Sequence, residues 1–152
     1  MELLTIQPED PGSPQIRRLI EELDIYLSDL YPDESNHLLS VESLRQPNVT
    51  FLVARINDQI AGCGAFINRG EYAEIKRMFV VPASRGKGVG WRILQELETR
   101  AHLDGLLICR LETGVSQPEA LSLYQRSGYL HREPFTPYTN DPLSVFMEKK
   151  LV

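Results

Sequence analysis

Residues 84–93 read SRGKGVGWRI and place three glycines and three cationic side chains between a strand-like apolar run and a helix-like run. The first turn of a helix has unpaired N–H groups and the positive end of the helix dipole, so it attracts anions. Glycines let the backbone approach a phosphate closely, because no Cβ intervenes. Arg85 and Lys87 add positive charge. The stretch therefore predicts a loop that binds a phosphate or pyrophosphate.

Three phosphate-binding patterns can be compared with this loop. The P-loop requires Ser or Thr after Gly-Lys, but Gly88 follows Lys87 here, and the chain has no glycine at position 81. The Rossmann fingerprint requires a third small residue, and Ile93 occupies that position when counting starts at Gly88. The pattern Arg/Gln-x-x-Gly-x-Gly/Ala is satisfied at every position by residues 85–90.

The rest of the chain alternates strand and helix patterns around this loop. Strands are predicted at residues 2–7, 49–56, 59–67, 71–81, 106–111, 129–132 and 143–149. Helices are predicted from Ser13 to about residue 30 and at residues 41–44, 88–102 and 118–127. The nearly continuous apolar run 106–111 is typical of a buried central strand. This order predicts a single mixed α/β domain over residues 1–152, built around one sheet.

The composition excludes several classes of protein. A net charge of −5 and a pI near 5.2 argue against a nucleic-acid binder. No run of 18 apolar residues is found, so no membrane span is expected, and the acidic N-terminus is unlike a signal peptide. Cys63 and Cys109 lie far apart and the three histidines are scattered, so neither set indicates a metal site. These features predict a reduced, cytoplasmic protein.

Three motifs in a fixed order resemble the GNAT N-acetyltransferase superfamily. The glycine loop is similar to its acyl-CoA signature, residues 74–82 (EIKRMFVVP) to its fourth strand, and residues 117–129 (QPEALSLYQRSGY) to its late helix. Residues 61–65, 74–76, 111–114 and 141–147 also resemble the small bacterial YsnE-like branch. The resemblance implies a GNAT fold, in which helices flank a mostly antiparallel, twisted central sheet. It also implies acetyl-CoA as the co-substrate, with no metal.

The resemblance assigns the cofactor-binding and acid roles. Backbone amides of the loop would bind the CoA pyrophosphate, and the fourth strand would pair with the pantetheine arm. Tyr124 matches the tyrosine that protonates the leaving thiolate, a sensible role for a phenol at neutral pH. Gln117 stands where many members have Asn. The expected cofactor-binding residues are Met78, Phe79, Val80, Arg85, Gly86, Lys87, Gly88, Val89, Gly90, Trp91, Gln117 and Tyr124.

The base that deprotonates the amine is less clearly indicated. Glu74 matches a carboxylate that some histone-type members use as a general base. Strand alternation places Glu74, Lys76 and Met78 on one face, so Lys76 would pair with Glu74 and weaken it as a base. A structural ion pair is therefore the alternative for Glu74, and ordered water is the alternative base.

The acceptor site is expected where the first helices meet the late strands. The candidate acceptor residues are Tyr26, Tyr31, Glu34 and His37 from the first part of the chain and Phe135 and Tyr138 from a proline-stiffened loop near its end. That loop either walls the acceptor pocket or covers the core. The resemblance also allows a homodimer, for which residues 143–149 offer an edge. The sequence does not identify the acceptor.

The resulting hypothesis is direct transfer of an acetyl group from acetyl-CoA to an amine of a small molecule or amino acid. Neither cysteine is needed as a nucleophile. Three alternatives remain at this point: a non-catalytic acyl-CoA sensor, a protein or peptide N-acetyltransferase, and a nucleotide-binding oxidoreductase. A long groove would favour a peptide acceptor, and a closed pocket would favour a small molecule.

Thermal unfolding with added ligand tests the identity of the bound nucleotide. Acetyl-CoA at about 100 times its dissociation constant should raise the free energy of unfolding by roughly 2.7 kcal/mol. Gly88→Glu should abolish this gain, because it adds a negative side chain to an anion-binding loop. Stabilisation by NADH without stabilisation by acetyl-CoA would overturn the acyl-CoA interpretation.

Overall fold

The computed structural model describes residues 2–36 and 38–151. Within these residues the strands are β1 (Leu4–Pro8), β2 (Val49–Ile56), β3 (Gln59–Asn68), β4 (Ala73–Val80), β5 (Ile108–Gly114), β6 (Leu130–Arg132) and β7 (Ser144–Lys150). The helices are α1 (Pro14–Leu30), α2 (Val41–Leu44), α3 (Val89–Leu103) and α4 (Pro118–Arg126). None of these helices has the length and apolarity needed to cross a bilayer.

The described strands form one sheet in the order β1-β2-β3-β4-β5-β7-β6. Neighbouring strands are antiparallel except β4 and β5, which run parallel. The chain passes from β4 to β5 through α3, as the long crossover between parallel strands requires. The predicted mixed α/β fold with a mostly antiparallel sheet is therefore confirmed.

Two apolar cores lie on opposite faces of this sheet. Helices α1 and α2 pack on one face, where Phe51 and Val53 of β2 point. Helix α3 and Tyr124 of α4 pack on the other face with the intervening β2 residues, Leu52 and Ala54. Successive side chains of a strand point to opposite faces, so residues 51–54 of β2 are buried alternately in the two cores.

Glycines in β3 allow α3 to lie close to the sheet. A Cβ at Gly64 would lie 2.6 Å from the sulfur of Met78 and 2.8 Å from Cγ2 of Ile93. A Cβ at Gly62 would lie 2.5 Å from the carbonyl oxygen of Phe79 on the adjacent strand. The AGCGA sequence of residues 61–65 is thus explained by close packing of α3 and β4 against β3.

Strand β5 begins and ends later than its apolar residues predict. Leu107 is 60% exposed, and Leu106 belongs to the turn after α3, where its N–H donates to the carbonyl of Ala101. The strand continues through the polar Glu112 and Thr113, which pair with β7. Pairing with β7 therefore determines where β5 ends. The apolar run in the sequence carries no information about this pairing.

Gly62→Ala tests the close approach of β3 and β4. The added Cβ would meet backbone, which cannot rotate away, so we expect a loss of about 2 kcal/mol in urea unfolding. The matched control is Gly12→Ala, whose Cβ would face the flexible end of Arg45 at 3.1 Å. The control should change stability by less than about 0.5 kcal/mol. Equal unfolding midpoints for the two variants would contradict this packing.

Candidate active site

Strands β4 and β5 separate in the middle of the sheet. They pair only from Ala73 to Ile75 on β4, opposite Cys109 to Leu111 on β5. Beyond this point β4 continues alongside β3, and β5 continues alongside β7 as far as Gly114. The residues predicted for the fourth strand lie on one side of this opening, and the end of β5 lies on the other side.

A bulge in β4 shapes this opening. Two residues of β4, Arg77 and Met78, lie opposite the single residue Gly64 of β3. Arg77 has a left-handed backbone, with φ of +59°, which is uncommon for a residue other than glycine. Sequence alternation placed Met78 on the face of Glu74 and Lys76, and this was wrong. The bulge turns Met78 to the α3 side of the sheet, where it packs against the apolar core that contains Ile75.

A cleft of about 280 Å³ lies between β4, α3 and α4. Its lining comprises Tyr26, Met78, Phe79, Val80, Ser84, Arg85, Gly86, Val89, Gly90, Gln117, Glu119, Ala120, Leu123 and Tyr124. Gly86 and Gly88 have left-handed φ values of 80° and 77°, and a Cβ on either would meet open space. The loop at the start of α3 therefore has the glycine backbone and the open surroundings that a phosphate would need.

The cationic side chains of the loop point in different directions. Arg85 Nε donates to the carbonyl of Val80 at 3.0 Å, and the guanidinium lies 5.7 Å from the ring centre of Phe79. Lys87 Nζ instead pairs with Glu2 at 3.0 Å. Lys87, Gly88 and Trp91 do not line the cleft, whereas nine of the twelve expected cofactor-binding residues do.

Tyr124 lies where the cleft meets a second cavity. It is 5% exposed, and its ring packs edge-on against Tyr129 with centroids 5.8 Å apart. No hydrogen bond to its hydroxyl is found within residues 2–36 and 38–151. Burial, and then the charge of Glu112, raise the pKa of Tyr124 above the usual tyrosine value. The phenol therefore keeps its proton at neutral pH and is able to donate it.

The second cavity lies between α1 and the separated strands. It has a volume of about 90 Å³ and is lined by Leu23, Leu27, Tyr31, Ser35, Asn36, Leu38, Ile75, Lys76, Arg77, Met78, Glu112, Thr113, Gly114, Gln117, Tyr124 and Leu143. Met78, Gln117 and Tyr124 line both the cleft and this cavity. These three residues therefore mark the junction between the two spaces.

Tyr31 connects the end of α1 to the junction. Its hydroxyl donates to Gln117 Oε1 at 3.1 Å and accepts from the N–H of Ser116 at 3.1 Å. A Cβ on Gly114 would lie 1.7 Å from this hydroxyl, so only glycine fits there. Because the carbonyl of the Gln117 side chain is engaged by Tyr31, its NH₂ group is the part left to face a ligand.

Glu112 and Arg77 were not expected in the site, and Lys76 was expected only as a neighbour of Glu74. All three side chains line the second cavity. The signal for Lys76 was its position two residues after Glu74, and the signal for Glu112 was the LETG motif of residues 111–114. Arg77 carried no such signal, because its side of the strand depends on the bulge.

Arg77 anchors the segment that covers the second cavity. Its guanidinium donates twice to the carbonyl of Leu39, through Nε at 3.1 Å and Nη2 at 2.8 Å, and it pairs with Asp24. The Arg77 side chain is 4% exposed. Since a buried guanidinium requires partners, these contacts hold Leu39 and the α1 residue Asp24 against β4.

Glu74 lies outside the lining of both cavities. It is fully buried, with Oε1 bound by Arg69 at 2.9 Å and Oε2 bound by the hydroxyl of Tyr138. Lys76 Nζ lies 4.0 Å from Oε2 and donates to the Tyr138 hydroxyl at 3.0 Å. These contacts favour the structural ion pair over the general base for Glu74.

The other expected acceptor residues are placed as follows. Glu34 is exposed and outside the cavity lining, and His37 lies outside the described residues. Phe135 packs edge-on against Tyr72 and Phe146, and Tyr138 packs against Phe135. Phe135 in the loop of residues 134–138 therefore covers the core, and Tyr138 contacts Lys76, which lines the cavity.

Both cysteines are buried and carry free thiols. Burial raises the pKa of Cys63 and of Cys109 to about 12. Since the thiolate is the reactive form of cysteine, neither residue is suited to act as a nucleophile near neutral pH.

Comparisons with known proteins agree with this arrangement. A protein named IAA acetyltransferase from Azospirillum brasilense is 49% identical over 97% of this chain and 98% of its own length. YsnE of Bacillus subtilis (strain 168), described as an uncharacterized N-acetyltransferase, is 38% identical over 96% of this chain and 99% of its own length. A solved structure of a proposed acyl-CoA N-acyltransferase from Klebsiella pneumoniae subsp. pneumoniae MGH 78578 has a TM-score of 0.85 and 35% identity, covering 99% of each chain.

Residues 16–129 match the family described as the acetyltransferase (GNAT) family. This match covers most of the chain, so the chain belongs to the GNAT acetyltransferase family. The sequence motifs predicted the family, the YsnE-like relationship and the enzyme class, and all three predictions are confirmed.

Replacing Arg77 tests its role as an anchor. Arg77→Met would leave the Leu39 carbonyl and Asp24 without their partner, so we expect a loss of about 2 kcal/mol in urea unfolding. The control is Arg17→Met, because the half-exposed Arg17 side chain pairs with Glu42 at 3.4 Å. An exposed pair of this kind should contribute less than about 0.5 kcal/mol. Similar losses in the two variants would contradict the anchoring role.

Proposed function

We propose that this protein transfers the acetyl group of acetyl-CoA directly to the amine of a small molecule. The observation that carries the proposal is the junction at Tyr124, Gln117 and Met78, where the cleft lined by the glycine loop meets a second, polar cavity. The cleft would hold the acyl donor and the cavity would hold the amine. The thioester would then lie at the junction, within reach of both the amine and the Tyr124 hydroxyl.

The donor side matches the parts of an acyl-CoA. The loop amides and the start of α3 offer a site for the pyrophosphate, and Arg85 lies beside it at the cleft wall. The edge of β4 on the β5 side is unpaired beyond Ile75, so its backbone beside Met78, Phe79 and Val80 is available to the amides of the pantetheine arm. A strand N–H at this edge would also stabilise the oxyanion of the tetrahedral intermediate.

The chemistry requires two proton transfers. The unprotonated amine attacks the thioester carbonyl, a C–N bond forms, and the C–S bond breaks. Tyr124 donates its proton to the departing sulfur. The proton that the amine loses leaves through the second cavity, where Glu112 is the carboxylate among the described lining residues. Glu74 is separated from this cavity by Lys76 and Tyr138, so we assign it the ion pair and not the base.

The size of the second cavity favours a small acceptor. Its volume is about 90 Å³, and α1, Ser35, Asn36, Leu38 and Leu143 bound it, so the described residues form a compact pocket and not an extended groove. An acyl-CoA sensor would not need a polar cavity connected to the cleft at a tyrosine hydroxyl. The buried free thiols suit a reducing compartment, and we propose the cytoplasm.

Thiol release in the presence of acetyl-CoA and a panel of amines tests the proposal. Tyr124→Phe should lower kcat roughly a hundredfold and leave the dissociation constant of acetyl-CoA nearly unchanged, because only the proton donor is lost. Tyr72→Phe is the control, since Tyr72 lies outside both cavities, and it should retain the wild-type kcat. Because the pKa of Tyr124 is raised, its ionisation should cause no loss of kcat below about pH 10.

Two results would count against this function. Binding of acetyl-CoA without turnover of any amine would support the sensor alternative. An unchanged kcat in Tyr124→Phe, with intact folding, would remove Tyr124 as the acid.

A further inference from the structure

We propose that Tyr31 is a positioning residue for the acyl donor: it fixes the side-chain amide of Gln117 so that the NH₂ group donates to a carbonyl oxygen of the donor at the junction. Tyr31 was expected to bind the acceptor, and this role moves its hydroxyl to the donor side of the site. The assignment rests on the proposed function, because it takes the cleft as the place of the acyl-CoA.

The hydroxyl of Tyr31 is engaged both as a donor and as an acceptor. It accepts from the N–H of Ser116 and donates to Gln117 Oε1, each at 3.1 Å. A phenol has a single proton, so the proton given to Gln117 is not offered to a molecule in the second cavity. Burial raises the pKa of Tyr31, so this proton is retained at neutral pH. The polar group of Tyr31 therefore serves Gln117 and not an acceptor.

These two hydrogen bonds also determine which way the amide of Gln117 faces. If the amide turned over, its NH₂ group would lie against the Tyr31 hydroxyl, and the phenolic proton would lose its acceptor. Tyr31 is 8% exposed, and a buried donor without a partner is costly. The carbonyl of the amide therefore stays toward Tyr31, and the NH₂ group lies on the other side.

Gln117 is well placed to use its two N–H donors on a ligand. It directly precedes α4, at the position where a side chain often caps a helix, but its side chain makes no such cap. Gln117 also lines both the cleft and the second cavity. An acyl-CoA would bring two carbonyl oxygens to this junction, that of the thioester and that of the neighbouring pantetheine amide. Either oxygen accepts a hydrogen bond from an amide N–H.

Contacts from three parts of the chain fix the position of Tyr31. Its N–H donates to the carbonyl of Leu27 in α1 at 3.0 Å, and its carbonyl accepts from Asn36 Nδ2 at 3.3 Å. Gly114, at the end of β5, admits the ring, because a Cβ there would lie 2.1 Å from the ring carbon that bears the hydroxyl. Tyr31 is thus held at its backbone and at its ring, so it can hold a side chain at the start of another helix.

Binding of acetyl-CoA to single and double variants of the full chain tests this role. Tyr31→Phe keeps the ring and removes the bond that orients Gln117, so the dissociation constant of acetyl-CoA, measured by calorimetry, should rise roughly fivefold. Gln117→Met keeps the length of the side chain without its N–H donors and should cause a similar rise. In the Gln117→Met background, Tyr31→Phe should add less than about twofold, because Tyr31 acts through Gln117.

Tyr72→Phe is the matched control. It also removes one phenolic hydroxyl, which donates to the carbonyl of Thr136, and Tyr72 lies outside both cavities. The dissociation constant of acetyl-CoA should stay unchanged in this variant. Thermal unfolding without ligand reports that each variant folds.

Titration with CoA beside acetyl-CoA identifies the carbonyl that Gln117 contacts. A rise in the dissociation constants of both ligands in Tyr31→Phe would support the role and assign the contact to the pantetheine amide. A rise with acetyl-CoA alone would support it and assign the contact to the thioester.

Binding and turnover separate this role from the function on which it rests. An unchanged dissociation constant in Tyr31→Phe, or an equal rise in the wild-type and Gln117→Met backgrounds, would overturn the role of Tyr31 and leave the acetyltransferase function standing. Coupled losses of acetyl-CoA binding, with no thiol release in the presence of any amine, would support the role of Tyr31 and overturn the function.

Discussion

The separation of β4 from β5 beyond Ile75 is the constraint on which the site depends. Three residue pairs hold the strands together, and each strand then continues with its other neighbour. Backbone groups along the separated edges need partners that a neighbouring strand no longer supplies. The end of α1 and the start of α4 meet beside this opening, where Tyr31 donates to Gln117, and the cleft and the second cavity share Tyr124.

Charges around the opening divide into those that maintain the fold and those that face the cavity. Glu74, although at the position of a known type of base, is enclosed by Arg69, Tyr138 and Lys76. A carboxylate with so many close partners stabilises the end of the sheet and is poorly placed to reach an amine. Because of the bulge at Arg77, the consecutive cations Lys76 and Arg77 both lie on the α1 side of the sheet. Arg77 anchors Leu39, and Lys76 lines the second cavity.

The sequence predicted most of the fold and most of the residues that line the cleft at the start of α3, because the signals for both are local. Helical stripes, turn residues and the glycine loop each lie within about ten consecutive residues, and the backbone amides that would bind a phosphate come from one short segment. Fewer of the residues expected for an acceptor site line the second cavity. Tyr31 was expected there and lines the cavity, but Glu34, Phe135 and Tyr138 do not. Their positions depend on contacts between segments far apart in the chain.

By itself, the sequence determined the order of strands and helices, the glycine-lined start of α3 and the placement of Tyr124 on the late helix. Only the tertiary structure decided that β4 bulges at Arg77, that Tyr31 holds Gln117 across 86 positions of the chain, and that Glu74 is enclosed by Tyr138, 64 positions away. The physical reason is that helix periodicity and anion binding by consecutive amides are properties of a short segment. A bulge, a buried ion pair and a cavity exist only once distant segments pack together.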